Sequence, residues 1–318
     1  MNGDGTRGRS GRRLGHAGRR PSRDDSAPAA GRVLVALTAA TGVSESLDLC
    51  LHLLEQTPAE LLGLRVEDAS LLAHARSGLA REVALSGLER PLDPVRLDRQ
   101  LRAQTAALRS AFERDAARLG LGHVFEVVRG DPLAELKRAA LTADALLLDA
   151  AARARYRRGE WPEAALRELA ATPLRRIAFA GEGWRLRTEI VVIAEQAPLA
   201  GPTGAALSAA LGVARRTRSP LRVLLLAADD ATAGSPPAEA ARHGAARLPG
   251  DIERAAREAR VRLEALTILP AGRGEAIAFA HARRARLTVL TPRQAAQTAL
   301  VAELMLRGRG AVLVVRES

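Results

Sequence analysis

Cysteine occurs once, lysine once, and aromatic residues make up only 2% of the 318 positions. The single thiol, Cys50, excludes an internal disulfide, and its place in the apolar-periodic run 47–54 marks a small buried side chain rather than a reactive one. So few aromatics leave little for nucleobases to stack on, and the formal net charge of +12 is therefore not read as a nucleic-acid signal. Lys137 is the only lysine, so the charge is carried by arginine, scattered as in Arg254, Arg257, Arg260 and Arg262, the pattern of a solvated helix face. Long hydrophobic runs are also missing. The best candidate, residues 190–214, is interrupted by Glu195, Pro198 and Pro202 and falls short of the roughly 18 apolar residues a span needs. A cytoplasmic protein without a membrane span is expected. No two of His16, His52, His74, His123, His243 and His281 have metal-ligand spacing on one element. Nucleophile-elbow, Walker and zincin motifs are absent too, so no catalytic residue and no metal is expected.

What is present starts after a tail. Residues 1–31 are rich in Gly, Arg, Ser, Pro and Ala and poor in large apolar side chains, which cannot offset the entropy of ordering. Disorder is expected there. The pairs Arg12-Arg13 and Arg19-Arg20 are not followed by a signal-type hydrophobic segment, so they are not read as an export signal, and attachment of this tail to nucleic acid or anionic lipid is the weakest of the functional readings.

From residue 32 the chain alternates buried strands and amphipathic helices: strands at 32–37, 60–66, 124–128, 145–148 and 176–180, helices at 44–54, 94–119, 131–141 and 163–171. Near-continuous apolar strands separated by helices define a parallel sheet with crossover helices. Residues 69–93 interrupt the pattern with Ser77-Gly78, Ser86-Gly87 and Pro91, and are read as a lid, a dimer contact or a packed excursion near the ligand edge of the sheet. After a short join at 181–183 the order begins again. Strands at 189–194, 221–227, 266–269 and 311–316 alternate with helices at 203–216 and 251–265, the segment 271–291 repeats the helix and strand within 129–149, and 231–250 is read as a loop. Residues 129–149 lie over 271–291 without a gap, and 166–180 lie over 301–315. A tandem duplication follows, with domains at 32–183 and 184–318. Each fifth strand would leave an apolar edge open, so the two are expected to pair antiparallel as a pseudo-dimer within one chain. A further homodimer is left open.

The openings RVLVAL and EIVVIA, the segment GDPLAELKRAALTADALLLD and the close VAELMLRGRGAVLVVR together resemble the universal stress protein family in its tandem form. That resemblance implies two doubly wound, five-stranded, Rossmann-like domains of the adenine nucleotide alpha hydrolase type, joined through their fifth strands. It also implies an adenine-nucleotide site with an Asp at the end of strand one. After strand four the family's ATP-binding members carry G-x-x-G, a spacer, then Gly with Ser or Thr. Here strand one ends at Leu37-Thr38 and at Ala194-Glu195, and the stretches after strand four, DAAARARYRRGEWPE and TPRQAAQTAL, lack the paired glycines in both copies.

The resulting expectation is a non-catalytic stress-response or regulatory protein with a degenerate site and no required cofactor, acting through an unidentified protein partner or a weakly bound small ligand. The alternative is ATP or AMP, bound or slowly hydrolysed at a non-standard site in the second copy. There Glu195 supplies a carboxylate, and the helix-start turns Gly201-Pro-Thr-Gly204 and Gly272-Arg273-Gly274 supply amides and a guanidinium to the phosphates.

Overall fold

A computed structural model describes residues 31–53, 60–83, 86–157, 168–169, 172, 174–182, 184–199, 201–227, 239–270, 273–296 and 298–316. The expected disordered tail up to residue 30, most of the expected helix 163–171, and Gly272 lie outside the described residues.

The first copy runs β1 (Val33–Ala36), α1 (Val43–Leu53), β2 (Leu61–Asp68), α2 (Ala69–Arg76), β3 (Arg81–Val83), β4 (Glu89–Pro91), α3 (Pro94–Arg118), β5 (His123–Gly130), α4 (Pro132–Ala140), β6 (Ala145–Leu148), α5 (Ala150–Arg157) and β7 (Arg176–Phe179). The second runs β8 (Ile190–Glu195), α6 (Pro202–Thr217), β9 (Leu221–Leu226), α7 (Glu239–Glu258), β10 (Leu263–Leu269), α8 (Gly274–Ala282), β11 (Leu287–Leu290), α9 (Pro292–Ala296), α10 (Thr298–Arg307) and β12 (Ala311–Val315). Ten of the strands form one sheet in the order β10-β9-β8-β11-β12-β7-β6-β1-β2-β5. Each half has the doubly wound order, with its first strand beside its fourth, and every pairing is parallel except the central one.

That central pair is the expected junction. β12 and β7 are antiparallel with Leu313 opposite Ala178 and Val314 opposite Ile177, and all four side chains are buried. Pairing removes two apolar edges at once. Alternation along the strands then sorts the helices. Ile190, Val192 and Ala194 face α6 and α7, on the side that also holds α1 and α3, whereas Val191 and Ile193 face α8 and α10, on the side of α4 and α5.

Three stretches differ from expectation. Within 69–93 the described residues form α2, capped by Asp68 through the amides of Ser70 and Leu71, and the antiparallel pair β3 and β4. Short polar caps and a Gly-containing turn suffice for such elements without an apolar periodicity to announce them. α2 packs on α3 and the edge strand β5, two strands away from β1. Second, the helix read from residue 251 spans Glu239–Glu258, and it continues through Pro249 and Gly250, where Leu248, Ile252 and Ala256 form one buried stripe. Tertiary burial outweighs the local breakers. Third, the stretch after β11 is helical from Pro292.

The halves are also tied by arginines. Arg153 of α5 is 1% exposed, although the sequence marks 153–158 only as a basic interruption. Its guanidinium donates to Met305 O at 3.1 Å, Gly308 O at 2.8 Å and Leu304 O at the C-terminal end of α10 in the other half, and to Gly310 O at 2.5 Å in the turn before β12. Carbonyls at a helix end are short of internal donors, although Leu304 O here also accepts from the Gly308 amide at 2.9 Å, and a cation there also meets the negative end of the helix dipole. On the other face Trp184 is buried and donates to Asp48 at 3.1 Å, with His52 and Arg286 against its ring. Arg216 of the second copy donates to the His52 carbonyl. Burial holds His52 below its ordinary 6.5; Asp48 opposes this, and Arg216 and Arg286 add to it.

Two outcomes are expected. Arg153→Met removes the charge and leaves buried carbonyls without donors, and should lower unfolding free energy in urea by about 3 kcal/mol; a loss below about 1 kcal/mol would show the bonds to be dispensable. For His52, a depressed folded value means that the unfolded chain takes up the proton first. Its contribution is therefore complete above about pH 6.5 and is lost as pH falls through the folded value. The drop in urea midpoint from about pH 7.5 to about pH 5 should shrink in His52→Gln, and an unchanged drop would assign the acid sensitivity elsewhere.

Candidate functional site

In an open parallel sheet the ligand crevice lies at the carboxyl ends of the strands where the winding reverses. Here those places are β1/β6 and β8/β11. Register makes the two directly comparable: Val33 pairs with Ala145 and Ile190 with Leu287, so Thr38 corresponds to Glu195 and Asp149 to Thr291.

In the first copy Asp149, 1% exposed, accepts from the Thr38 hydroxyl at 2.8 and 2.9 Å, from the Thr38 amide at 2.6 Å and the Ala39 amide at 3.4 Å. It also accepts from the Ala152 amide at 2.7 Å, which makes it the N-terminal cap of α5. Burial raises the Asp149 carboxyl above the usual carboxylate range, and the amides and hydroxyl of Thr38, with the Ala152 and Ala39 amides, pull it back. Arg65 donates to the Thr38 carbonyl at 2.7 Å. In the second copy the roles are exchanged. Glu195, half-buried at the end of β8, accepts from the Thr291 hydroxyl at 2.9 and 3.1 Å and from Gln294 Nε2 at 3.2 Å, while Thr291 caps α9 through the Gln294 and Ala295 amides. Gln294 is 2% exposed, and its Oε1 has no partner among the described residues.

A helix therefore starts directly at the end of strand four in both copies, where the resemblance would place a glycine-rich phosphate loop. In each, the protein's own carboxylate stands against that helix start.

Of the residues singled out from sequence, Glu195 lies at this switch point. Gly201 is the N-cap of α6 with φ of 124°, a conformation that suits glycine. A Cβ on Gly204 would lie 1.7 Å from Leu199 O, so this glycine admits the chain folding back over the helix start. Thr203 between them donates to Glu195 O at 3.3 Å. Arg273 is exposed and heads α8, which packs on the opposite face of the sheet from α6, at the end of β10, two strands from β8. The structure thus brings Glu195 and the Gly201 turn together and places Arg273 about 10 Å away in the sheet direction. Sequence reasoning missed Thr38, Asp149, Thr291 and Gln294. The signal was available: aligning the ends of strands one and four shows a hydroxyl and a carboxylate trading places.

The other expectations concern chemistry elsewhere. Cys50 is fully buried, and burial pushes its thiol up to about 12, which leaves it inert at neutral pH. No helix of the described residues is long and apolar enough to cross a membrane.

Sheet order, exchanged pairs and central junction define a tandem doubly wound α/β protein. The structure is similar to that of a universal stress protein from Archaeoglobus fulgidus DSM 4304, with 11% identity, a TM-score of 0.53, and coverage of 91% of this chain and 97% of that one. The chain has the universal-stress-protein fold. Also similar are a functionally unknown protein from Pseudomonas aeruginosa PAO1, at 13% identity, TM-score 0.47 and coverage of 90% and 92%, and the cytoplasmic domain of a prokaryotic cation chloride cotransporter, at 11%, 0.49, 90% and 95%. No protein-family model and no curated protein sequence matches.

Both oxygens of Asp149 face backbone amides, so either orientation of an amide side chain would set an N–H against an N–H. Asp149→Asn is expected to destabilise by about 2 kcal/mol and Thr38→Val, which removes one donor, by about 1 kcal/mol. Equal or reversed losses in chemical denaturation would contradict this geometry.

Proposed function

We propose that this chain is a cytoplasmic, non-catalytic regulatory module of universal-stress-protein type, serving stress response through protein contacts or a weakly held small ligand. In this reading residues 32–183 and 184–318 are the two domains of a pseudo-dimer. The observation that carries it is the internal carboxylate at each switch point: Asp149 and Glu195 are held by neighbouring hydroxyls, with amides in one copy and an amide side chain in the other. A phosphate entering either place would meet a negative charge at contact distance, in surroundings that screen it poorly. Protein contact is supported by the 69–93 insertion and the start of α3, where Leu79, Val83, Leu88 and Val95 are 86%, 65%, 68% and 66% exposed.

The competing reading, ATP or AMP at Glu195, Gly201, Gly204, Gly272 and Arg273, has one observation in its favour: the unpartnered Gln294 Oε1 beside Glu195 is an acceptor that an adenine amino group would satisfy.

Calorimetric titration of the full chain with ATP and AMP separates the two. No saturable heat is expected in the range of about 10 μM. Binding at that level that Glu195→Ala abolishes would overturn the proposal and install the nucleotide reading.

A further inference from the structure

A second opening lies at the other end of the strands. Glu189 and Arg222, at the amino ends of β8 and β9, with Ala280, His281, Arg283 and Arg284 around the C-terminal end of α8, line a cavity of about 450 Å³. That is the size of a small-molecule site, and three of the six lining residues are arginines. The only carboxylate, Glu189, is engaged by Arg222 at 2.7 Å. Among the described residues, no hydrogen bond or ion pair engages the side chains of His281, Arg283 or Arg284, and both arginines are exposed.

Basic residues at a helix C-terminus commonly serve its last carbonyls. Here three of the last four carbonyls are already taken. Phe279 O accepts from the Arg283 amide at 2.9 Å, His281 O from the Arg284 amide at 3.1 Å, and Ala282 O from the Ala285 amide at 3.0 Å and the Thr288 hydroxyl at 3.4 Å. The guanidinium groups are free of that task. Nor does the fold demand them. By strand register and the gapless match of 129–149 to 271–291, the first copy has Leu62 where the second has Arg222, Ala139 for His281, Leu141 for Arg283 and Thr142 for Arg284. The other two lining positions, Glu189 and Ala280, correspond to Arg32 and Arg138, which pair with Glu60 and Glu135, so both copies carry cations at this corner and what is particular to the second is the couple Arg283 and Arg284, unpaired among the described residues.

We propose that this cavity binds a small phosphate-bearing metabolite, its oxygens held by the forked guanidiniums of Arg283 and Arg284 with His281 and Arg222 behind them. No phenylalanine, tyrosine or tryptophan lines the cavity, so the ligand is selected chiefly by its anionic group. The site is on the amino edge of the sheet, and Glu195 is on the carboxyl edge, so its existence is independent of what the switch points hold.

The test is calorimetric titration of the full chain with pyrophosphate, inorganic phosphate and citrate. Saturable pyrophosphate binding below about 1 mM is expected, tighter than phosphate and tighter than citrate. The double variant Arg283→Gln/Arg284→Gln should weaken it at least about tenfold, while Arg254→Gln/Arg257→Gln on the exposed face of α7, and Glu195→Ala, should leave it unchanged. Should the double variant melt early, the single substitutions are titrated instead, and each should weaken binding. Absence of saturation, equal weakening by the α7 pair, citrate binding as tightly as pyrophosphate, or no effect of either single substitution would overturn the proposal.

Discussion

Four residues of β7 and four of β12 face one another antiparallel, and that pairing sets nearly everything else in the molecule. Within each half the strands are parallel, so a half on its own ends in a strand whose outer backbone groups and apolar side chains have no partner. Joining the two fifth strands satisfies both edges and turns two five-stranded sheets into one of ten. It also determines which helices meet. On one face α1 lies against α6, and on the other α5 lies against α10. The approach at the seam is close enough that a Cβ on Gly181 would sit 2.3 Å from Gly310 O.

Two helical layers meeting across a seam bring helix ends into the interior, and helix ends carry carbonyls that need donors. The chain meets this need with guanidinium groups. Arg153 serves the end of α10, Arg216 the carbonyl of His52, Arg176 that of Leu53, Arg316 that of Thr172 and Arg286 that of Trp184. Five donors in a rigid fork allow one side chain to satisfy several carbonyls, which an ammonium group on a flexible stem does less well. This gives a structural reason for arginine in a chain with one lysine. It also qualifies a reading based on composition, since part of the positive charge is built into the seam and is not a solvated face.

The strands, their order and the duplication were legible in the sequence because burial on both faces writes a strand as a nearly unbroken apolar run such as RVLVAL or AVLVV. The seam was legible because an apolar terminal strand without a covering helix needs a partner. The insertion after β2 and the helix Glu239–Glu258 were not: α2 is held by the Asp68 cap and by packing on α3, and α7 runs through Pro249 and Gly250, none of which a local pattern of apolar residues records. Arg153 was misread for a similar reason: its carbonyl partners lie more than 150 positions away in the chain. The candidate site was half legible. Glu195 and the Gly201 turn could be named from position, but the pairing that defines the site runs between residues 38 and 149 and between 195 and 291, and each pair is brought together only by strand register.

That pairing also explains how the two copies can differ and keep one arrangement. The position at the end of strand four is an N-cap as well as a member of the pair, so it must be a short side chain that accepts from the amides of the following helix. Asp149 and Thr291 both meet that requirement, and a glutamate would be too long to meet it as well. The position at the end of strand one is not a cap and is free in length. It holds threonine where the cap supplies the carboxylate and glutamate where the cap supplies only a hydroxyl. What the fold holds constant is one carboxylate and one hydroxyl across adjacent parallel strand ends. Which strand carries which is set by the cap.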